Sequence, residues 1–347
     1  MIWVRYVATL ALGALGGWIF YHFHIPLAWM LGAMTLCIVG ALMRAPLAQP
    51  SWLTGPMISV VGVILGATFT PEMFHDAGRY AVTMGGLVLY VILTGLISVF
   101  YLRRFAGYDL PTSYFSGMPG GFAEMIIAGE QFGGDGRRIA LSHSSRVFIV
   151  VFALPAIIAL LGYNASGSTA RPSLSFLSDT PLSSWIWLAA CIVGGSFAGR
   201  LLRLPAPMMV GPLLVSALVH GTGLTDFTAP PMLVIVAQVV LGTGVGSRFV
   251  GVSPMEILRA LGHSLACNGV IVALTLLCAF GIGHITGMGV MPLLLAYSPG
   301  GLTEMSLMGL ALNVEVAFVA THHIVRVLLV MSSAALVFSL LARKPRP

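Results

Sequence analysis

The chain has 347 residues, of which 58% are hydrophobic and only 8% are charged, whereas about 25% of the residues of an ordinary soluble domain are charged. This composition, with a mean hydropathy of +0.97, excludes a soluble globular enzyme and predicts an integral membrane protein. The net charge of +6 comes from basic residues scattered singly or in pairs between apolar segments. That scatter is typical of membrane topology, so we expect the lipid bilayer and no nucleic acid as a partner.

Apolar stretches of about twenty residues, long enough as helices to cross the hydrocarbon core, recur along the chain. Continuous apolar runs predict helices, because the strands of a barrel would alternate. Six segments lie near residues 2–21, 26–43, 52–69, 80–102, 113–132 and 139–162, and six more lie near 184–202, 206–222, 231–250, 260–283, 289–311 and 314–342. We therefore predict an all-α membrane protein with one transmembrane repeat over 1–162, a polar linker over 163–183 and a second repeat over 184–347.

One motif occurs in both halves at a constant offset of 180 positions. It combines a helix-breaking Pro-Gly-Gly, a carboxylate, and a later His-x-x-Arg pair. The first copy consists of Pro119, Gly120, Gly121, Glu124, His143 and Arg146, and the second of Pro299, Gly300, Gly301, Glu304, His323 and Arg326. Residues 26–32 also match 205–211 at an offset of 179, and Leu65-Gly66 matches Leu241-Gly242 at 176. We interpret the motif as a duplicated site.

The placement of arginines predicts how each half crosses the membrane. If all twelve segments cross, the basic residues outside the spans divide into 8 cytoplasmic and 7 external ones. If the two Pro-Gly-Gly segments are re-entrant, the division becomes 13 and 2, as the positive-inside rule requires. Each half then has five crossings, so the repeats are inverted and both termini are cytoplasmic. A Pro-Gly-Gly segment that crosses as a broken helix remains an alternative.

Proline followed by two glycines should interrupt each fifth segment, because proline lacks an N–H group and glycine weakens a helix interior. We expect new half-helices to begin near Phe122 and Leu302. Their first N–H groups would bind an anion, with Ser116 and Ser298 capping or lining the breaks. The alternative interpretation is a site where small residues let helices pack closely.

Glu124 and Glu304 fall in the first turn after the two breaks. Carboxylates at membrane depth are costly to bury, so they are functional candidates by default. We predict that they take up a coupling proton or another cation. A purely structural role, in which each glutamate pairs with an arginine, stays open.

Arg146 and Arg326 lie well inside their predicted spans, and His143 and His323 precede them by three residues, on the same helix face. Guanidinium suits a carboxylate, which can belong to a glutamate of the motif or to an anionic substrate. The histidines can relay protons, or they can simply hydrogen-bond neighbouring helices.

The residues from Ser113 to Gly121, the second Tyr297-Ser298-Pro299-Gly300-Gly301 and both His-x-x-Arg pairs resemble the AbrB-duplication family of bacterial inner-membrane proteins. The resemblance covers nearly the whole chain and implies a multi-pass protein of the bacterial inner membrane. Proteins of such families have been labelled transporter, regulator and ammonia monooxygenase. The resemblance also suggests kinship with inverted-repeat cation:proton antiporters and anion transporters.

These features favour a secondary active transporter of a small metabolite over an enzyme, and the two arginines make an anionic metabolite one candidate substrate. The predicted substrate-binding residues are Ser116, Pro119, Gly120, Gly121, Glu124, Arg146, Ser298, Pro299, Gly300, Gly301, Glu304 and Arg326, and the predicted coupling residues are Glu124, Glu304, His143 and His323. A metal-dependent oxygenase would have only His143, His322, His323, Glu124 and Glu304 as candidate ligands, so we predict no metal or other cofactor. A regulator acting through a partner is the third possibility. A homodimer is compatible with the fold, although no sequence motif decides it.

Overall fold

The structure is a computed structural model that describes residues 2–69, 77–162 and 180–342. Most of the predicted linker, over 163–179, lies outside the described residues. So do four basic residues of the topology argument, namely Arg171, Arg343, Lys344 and Arg346. The secondary structure of the described residues consists of helices without strands, which confirms the predicted all-α class.

Fourteen helices are present in the described part of the chain. They are α1 (Ile2–His22), α2 (Ala28–Leu42), α3 (Ser51–Gly66), α4 (Ala77–Arg104), α5 (Leu110–Gly117), α6 (Phe122–Gln131), α7 (Gly136–Leu160), α8 (Leu182–Leu201), α9 (Pro207–Gly221), α10 (Pro231–Ser247), α11 (Pro254–Thr286), α12 (Val290–Tyr297), α13 (Leu302–Ala311) and α14 (Val316–Ala342). Ten of the twelve predicted segments contain one helix. Each of the two Pro-Gly-Gly segments contains two short helices, separated by the motif.

Helix length and composition show a multi-pass membrane protein. Six helices, α1, α4, α7, α8, α11 and α14, are long and apolar enough to cross a bilayer. The shorter apolar helices α2, α3, α9 and α10 have 15 to 17 residues. At 1.5 Å per residue they extend about 22–26 Å, slightly less than a typical hydrocarbon core.

The chain divides into two compact units, each of which combines segments from both halves of the sequence. Unit one contains residues 1–77, 151–254 and 302–320, and unit two contains 78–150, 255–301 and 321–347. The compact units therefore differ from the predicted repeats, which follow one another along the chain. The boundaries of the two predicted repeats therefore stay a prediction.

Unit one depends on glycines where its helices cross. A Cβ atom at Gly16 of α1 would lie 2.2 Å from the carbonyl oxygen of Gly32 in α2, and a Cβ atom at Gly211 of α9 would lie 2.0 Å from the carbonyl oxygen of Gly195 in α8. Both distances are far too short for a carbon atom. Small residues thus bring the backbones of these helix pairs into direct contact, as is common in membranes.

The same unit contains a second pair of equivalent crossings. A Cβ at Gly62 of α3 would lie 2.5 Å from the carbonyl oxygen of Met209 in α9, and a Cβ at Gly242 of α10 would lie 2.5 Å from that of Met30 in α2. Gly62 and Gly242 are 180 positions apart. The facing carbonyl groups pair Gly62 with Gly242, whereas the sequence match paired Gly66 with Gly242; each helix has a further glycine four residues later, at Gly66 and Gly246.

In unit two, α5 and α6 form a hairpin. The backbone N–H of Asp135, just after α6, donates a hydrogen bond of 2.9 Å to Oγ1 of Thr112 near the start of α5. The rings of Phe115 and Phe132 stack with their centroids 5.7 Å apart. The beginning of α5 and the end of α6 therefore lie side by side, which is the arrangement expected of a re-entrant segment.

A ring contact next to the hairpin brings two arginine-bearing stretches of the chain close together. The Arg138 guanidinium, at the start of α7, lies over the Tyr108 ring, 5.5 Å from its centroid. Tyr108 follows closely on Arg103 and Arg104 at the end of α4. The arginines before and after the hairpin thus lie at the same end of unit two.

Candidate functional site

The two Pro-Gly-Gly motifs interrupt their segments where the sequence predicted. Helix α5 ends at Gly117, Met118 and Gly121 have extended backbones, and α6 begins at Phe122. Helices α12 and α13 end and begin at positions 180 residues later, and α13 begins at Leu302 as predicted. Each break exposes the last carbonyl groups of one half-helix and the first N–H groups of another, and all of them need partners when buried.

The second arginine, Arg326 of α14, satisfies the carbonyl groups of its break. Its Nη1 donates to the carbonyl oxygen of Ser298 and its Nη2 to that of Gly300, both at 2.6 Å. The side chain is 2% exposed. A permanent cation at the carbonyl end of α12 also complements the helix dipole. In this structure Arg326 therefore stabilises the interrupted backbone of its own unit.

The first arginine, Arg146 of α7, has the same role with weaker contacts. Its Nη1 lies 3.3 Å from the carbonyl oxygen of Gly117 and its Nη2 lies 3.4 Å from that of Met118. Hydrogen bonds weaken at such distances. The Nε atoms of both Arg146 and Arg326 are buried and have no hydrogen-bond partner in the described part of the chain. One donor of each guanidinium thus remains available.

Each histidine connects its arginine to the half-helix before the break. Arg146 Nη2 donates to Nδ1 of His143 at 2.6 Å, and Nε2 of His143 donates to the carbonyl oxygen of Phe115 at 2.9 Å. His323 makes the equivalent bonds, with Arg326 at 2.8 Å and with the carbonyl oxygen of Leu295 at 3.0 Å. Because Nδ1 accepts and Nε2 donates, the bonds define one neutral tautomer. The arrangement positions the arginine, and proton relay by these histidines stays a prediction.

Glu124 is the third residue of α6 and is half-buried. Its carboxylate folds back over the break, because a Cβ added at Gly121 would lie 2.2 Å from Oε2 of Glu124. The carboxylate therefore lies at the positive end of α6, where the helix dipole favours a negative charge. A side chain at position 121 would displace it, which explains the glycine at this position.

Glu304 is the third residue of α13, and its side chain is also half-buried. Its charge interacts with that of Arg248, the residue that ends α10 in the same unit. Next to it, Oγ1 of Thr303 donates a hydrogen bond of 3.5 Å to Sδ of Met209. Arg248 is one of the basic residues that the topology count placed outside the spans. The position 180 residues earlier is Thr68, so the duplication gave no signal for this arginine.

The two predicted serines differ in position. Ser116 lies in the last turn of α5 and Ser298 directly follows α12, and both are buried. Their hydroxyl oxygens have no hydrogen-bond partner in the regions that the structure describes. They therefore line the breaks without capping them. Pro119 and Pro299 open the loops between the half-helices, as expected.

The candidate metal ligands are not brought together. Among the described residues, no three His, Cys, Asp or Glu side chains are close enough to hold one metal ion. Of the oxygenase candidates, His143 and His323 use both ring nitrogens in the hydrogen bonds given above. These residues do not form a ligand set in this structure.

The described residues thus form a multi-pass helical membrane protein with two interrupted segments, the first of which folds as a helical hairpin. This chain belongs to the AbrB family, since a family profile described as "Transition state regulatory protein AbrB" matches residues 29–342. The family predicted from the Pro-Gly-Gly and His-x-x-Arg motifs is thereby confirmed.

Two curated relatives match along most of their length. "Uncharacterized protein YhjN" of Bacillus subtilis (strain 168) is 26% identical over 351 residues, which cover 93% of this chain and 89% of that protein. "Putative regulator AbrB" of Escherichia coli (strain K12) is 23% identical over 308 residues, which cover 88% of each chain. Neither name specifies a substrate.

Proposed function

We propose that this protein is a secondary active transporter that moves a small, anionic metabolite across the bacterial inner membrane in exchange or symport with protons or another cation. The observation that carries the proposal is the interrupted hairpin α5–α6, whose broken backbone is held by the buried Arg146. Irregular backbone at membrane depth is tolerated where it is buried in protein or lines a water-filled cavity, and carriers bind substrates at such half-helix ends.

The proposed architecture is a pair of inverted repeats with cytoplasmic termini. The hairpin supports it, because a segment that returns to its own side leaves an odd number of crossings in the first half. Single cysteines at positions 103 and 138 of a cysteine-free protein should react with a membrane-impermeant maleimide from the same side. Reaction from opposite sides would show a crossing segment and contradict the inverted arrangement.

Glu124 and Glu304 carry the coupling proton or cation in this proposal. Both follow a break directly, and both residues are half-buried. We expect Glu124→Gln or Glu304→Gln to abolish coupled flux, because an amide cannot accept and release a proton. The measurement is substrate-dependent proton flux in proteoliposomes across a panel of small carboxylates.

Glu130→Gln is the matched control for this experiment. Glu130 lies on the same half-helix as Glu124 but is exposed, so its substitution should leave flux and coupling unchanged. Normal coupled flux in both Glu124→Gln and Glu304→Gln would remove the carboxylates from the mechanism. His143→Gln and His323→Gln test the prediction that the histidines relay protons. If they do, each substitution should abolish the coupling of substrate flux to proton flux without destabilising the protein.

The names of the family and of the Escherichia coli relative make regulation the second candidate. We propose that regulatory effects follow from altered metabolite transport. Deletion of the gene and its replacement by Glu124→Gln should then give the same phenotype. A variant that is inactive in transport but restores regulation would favour a separate regulatory role.

A further inference from the structure

Unit two contains a cleft beside the α5–α6 hairpin that the sequence analysis did not predict. Residues of α4, α5, α7 and α11 line it, with the Arg146 side chain on one side and Asn268 of α11 among its walls. It is small, with a volume of about 30 Å³ for water-sized molecules, and it is open at one side. Tyr108 and Ser142 form part of the mouth and are only partly buried. The mouth therefore lies at the arginine-bearing end of this unit.

Three buried polar atoms of the cleft lining have no hydrogen-bond partner in the described residues. They are the Nε donor of Arg146, the hydroxyl oxygen of Ser116 and the Oδ1 acceptor of Asn268. All three side chains are more than nine-tenths buried. A buried polar atom without a partner is costly, so their convergence in one lining indicates a bound polar species.

The orientation of Asn268 follows from its own helix. Its Nδ2 donates hydrogen bonds to the carbonyl oxygen of Ser264 at 2.8 Å and to the Ser264 hydroxyl at 2.9 Å. These bonds identify Oδ1 as the remaining acceptor, which needs a donor from outside the protein. Arg146 contributes a donor and a positive charge, and the lining includes no aspartate or glutamate among the described residues. An anion that carries its own hydrogen-bond donor would pair its charge with Arg146 and its donor with Oδ1 of Asn268.

We propose that this cleft binds a small carboxylate with an adjacent hydroxyl or amino group, such as a 2-hydroxy acid. The carboxylate accepts from Arg146 and Ser116, and the hydroxyl group donates to Asn268. This inference rests on the proposed transport function, for which it names the substrate class. The three polar atoms are covered in this structure, so binding requires a small local opening of the cleft.

The chemistry is tested by equilibrium dialysis of radiolabelled glycolate against the purified protein, with unlabelled competitors. Acetate lacks the hydroxyl group that would donate to Asn268, and glycolamide lacks the negative charge of the carboxylate. We expect saturable glycolate binding, with each competitor at least about 10-fold weaker than glycolate, because each leaves one protein group unpaired. Equal competition by all three compounds would overturn the proposal and indicate that ordered water satisfies these atoms.

Two variants locate the binding. Ser116→Ala should weaken glycolate binding at least about fivefold without loss of stability, because the removed hydroxyl has no partner in the protein. Ser145→Ala is its control, since Ser145 of α7 is also buried and unpartnered but does not line the cleft. Asn268→Asp should weaken glycolate binding further by placing a second anion beside it. Unchanged binding in both cleft variants would overturn the assignment.

The glycolate-binding test and the transport test can succeed or fail independently of each other. Glycolate binding with the expected discrimination, but without flux of any metabolite, would leave the cleft assigned and contradict transport. Coupled flux of another substrate by a protein that does not bind glycolate would overturn the cleft assignment and leave transport standing.

Discussion

The two copies of the Arg-His motif differ in how closely the arginine contacts the carbonyl groups of its interrupted segment. Arg326 contacts two carbonyl oxygens at 2.6 Å, whereas the equivalent contacts of Arg146 are 3.3 and 3.4 Å. Arg146 also lines a cleft and is slightly more exposed, at 7% against 2%. The comparison shows that the two copies of the motif differ, with short contacts at Arg326 and long contacts at Arg146, which is the copy at the cleft proposed to bind a ligand.

The largest expected effect tests this difference directly. Arg326→Met should lower the free energy of unfolding by roughly 3 kcal/mol or more, because it removes two charge-assisted hydrogen bonds and leaves buried carbonyl groups unpaired. Arg146→Met should cost only about 1–2 kcal/mol, since its contacts are long. The measurement is thermal and denaturant unfolding of the purified proteins in detergent.

Arg259→Met serves as the control for general effects of losing an arginine, because Arg259 is exposed. It should change the free energy of unfolding by less than about 0.5 kcal/mol. If Arg146→Met proved as destabilising as Arg326→Met, the two copies would be energetically equivalent and the comparison would fail.

An intermediate effect is expected in unit one, where the two sequence halves behave alike. Gly62→Ala and Gly242→Ala each place a methyl group 2.5 Å from a backbone oxygen of the facing helix. Each should cost about 1–3 kcal/mol, and the two costs should agree closely. Gly194→Ala, where an added Cβ meets nothing within 4 Å, is the control. Unequal costs would show that divergence extends beyond the motif.

The smallest expected change in the free energy of unfolding concerns a hydrogen bond of the α5–α6 hairpin that has no equivalent 180 residues later. Thr112→Val keeps the side-chain shape but removes the acceptor of the Asp135 N–H, and position 292, its equivalent, is proline. The substitution should cost about 1 kcal/mol and speed hydrogen exchange in α5 and α6. Unchanged exchange there would mean that ring stacking alone closes the hairpin.

Local chemistry made part of the structure predictable. The starts of α6 and α13 followed from proline and glycine alone, because a helix break depends on short-range properties, whereas the inverted arrangement inferred from the arginine count stays a prediction. The partners of Arg146 and Arg326 did not follow, since a guanidinium fits a carboxylate as well as a carbonyl group and only the fold decides. The electrostatic interaction of Glu304 with Arg248 arises through tertiary packing, and so does the presence of Asn268 and Arg146 in the lining of one cleft.

The use of guanidinium at both breaks has a consequence for any proton-driven cycle. Arginine keeps its charge at every physiological pH, so the loops at Gly120 and Gly300 retain their main support whatever the protonation state of Glu124 or Glu304. A lysine or a carboxylic acid in that position would titrate together with the coupling groups. In the proposed mechanism the arginine of each motif therefore keeps a fixed charge, while the glutamate of the same motif gains and loses a proton.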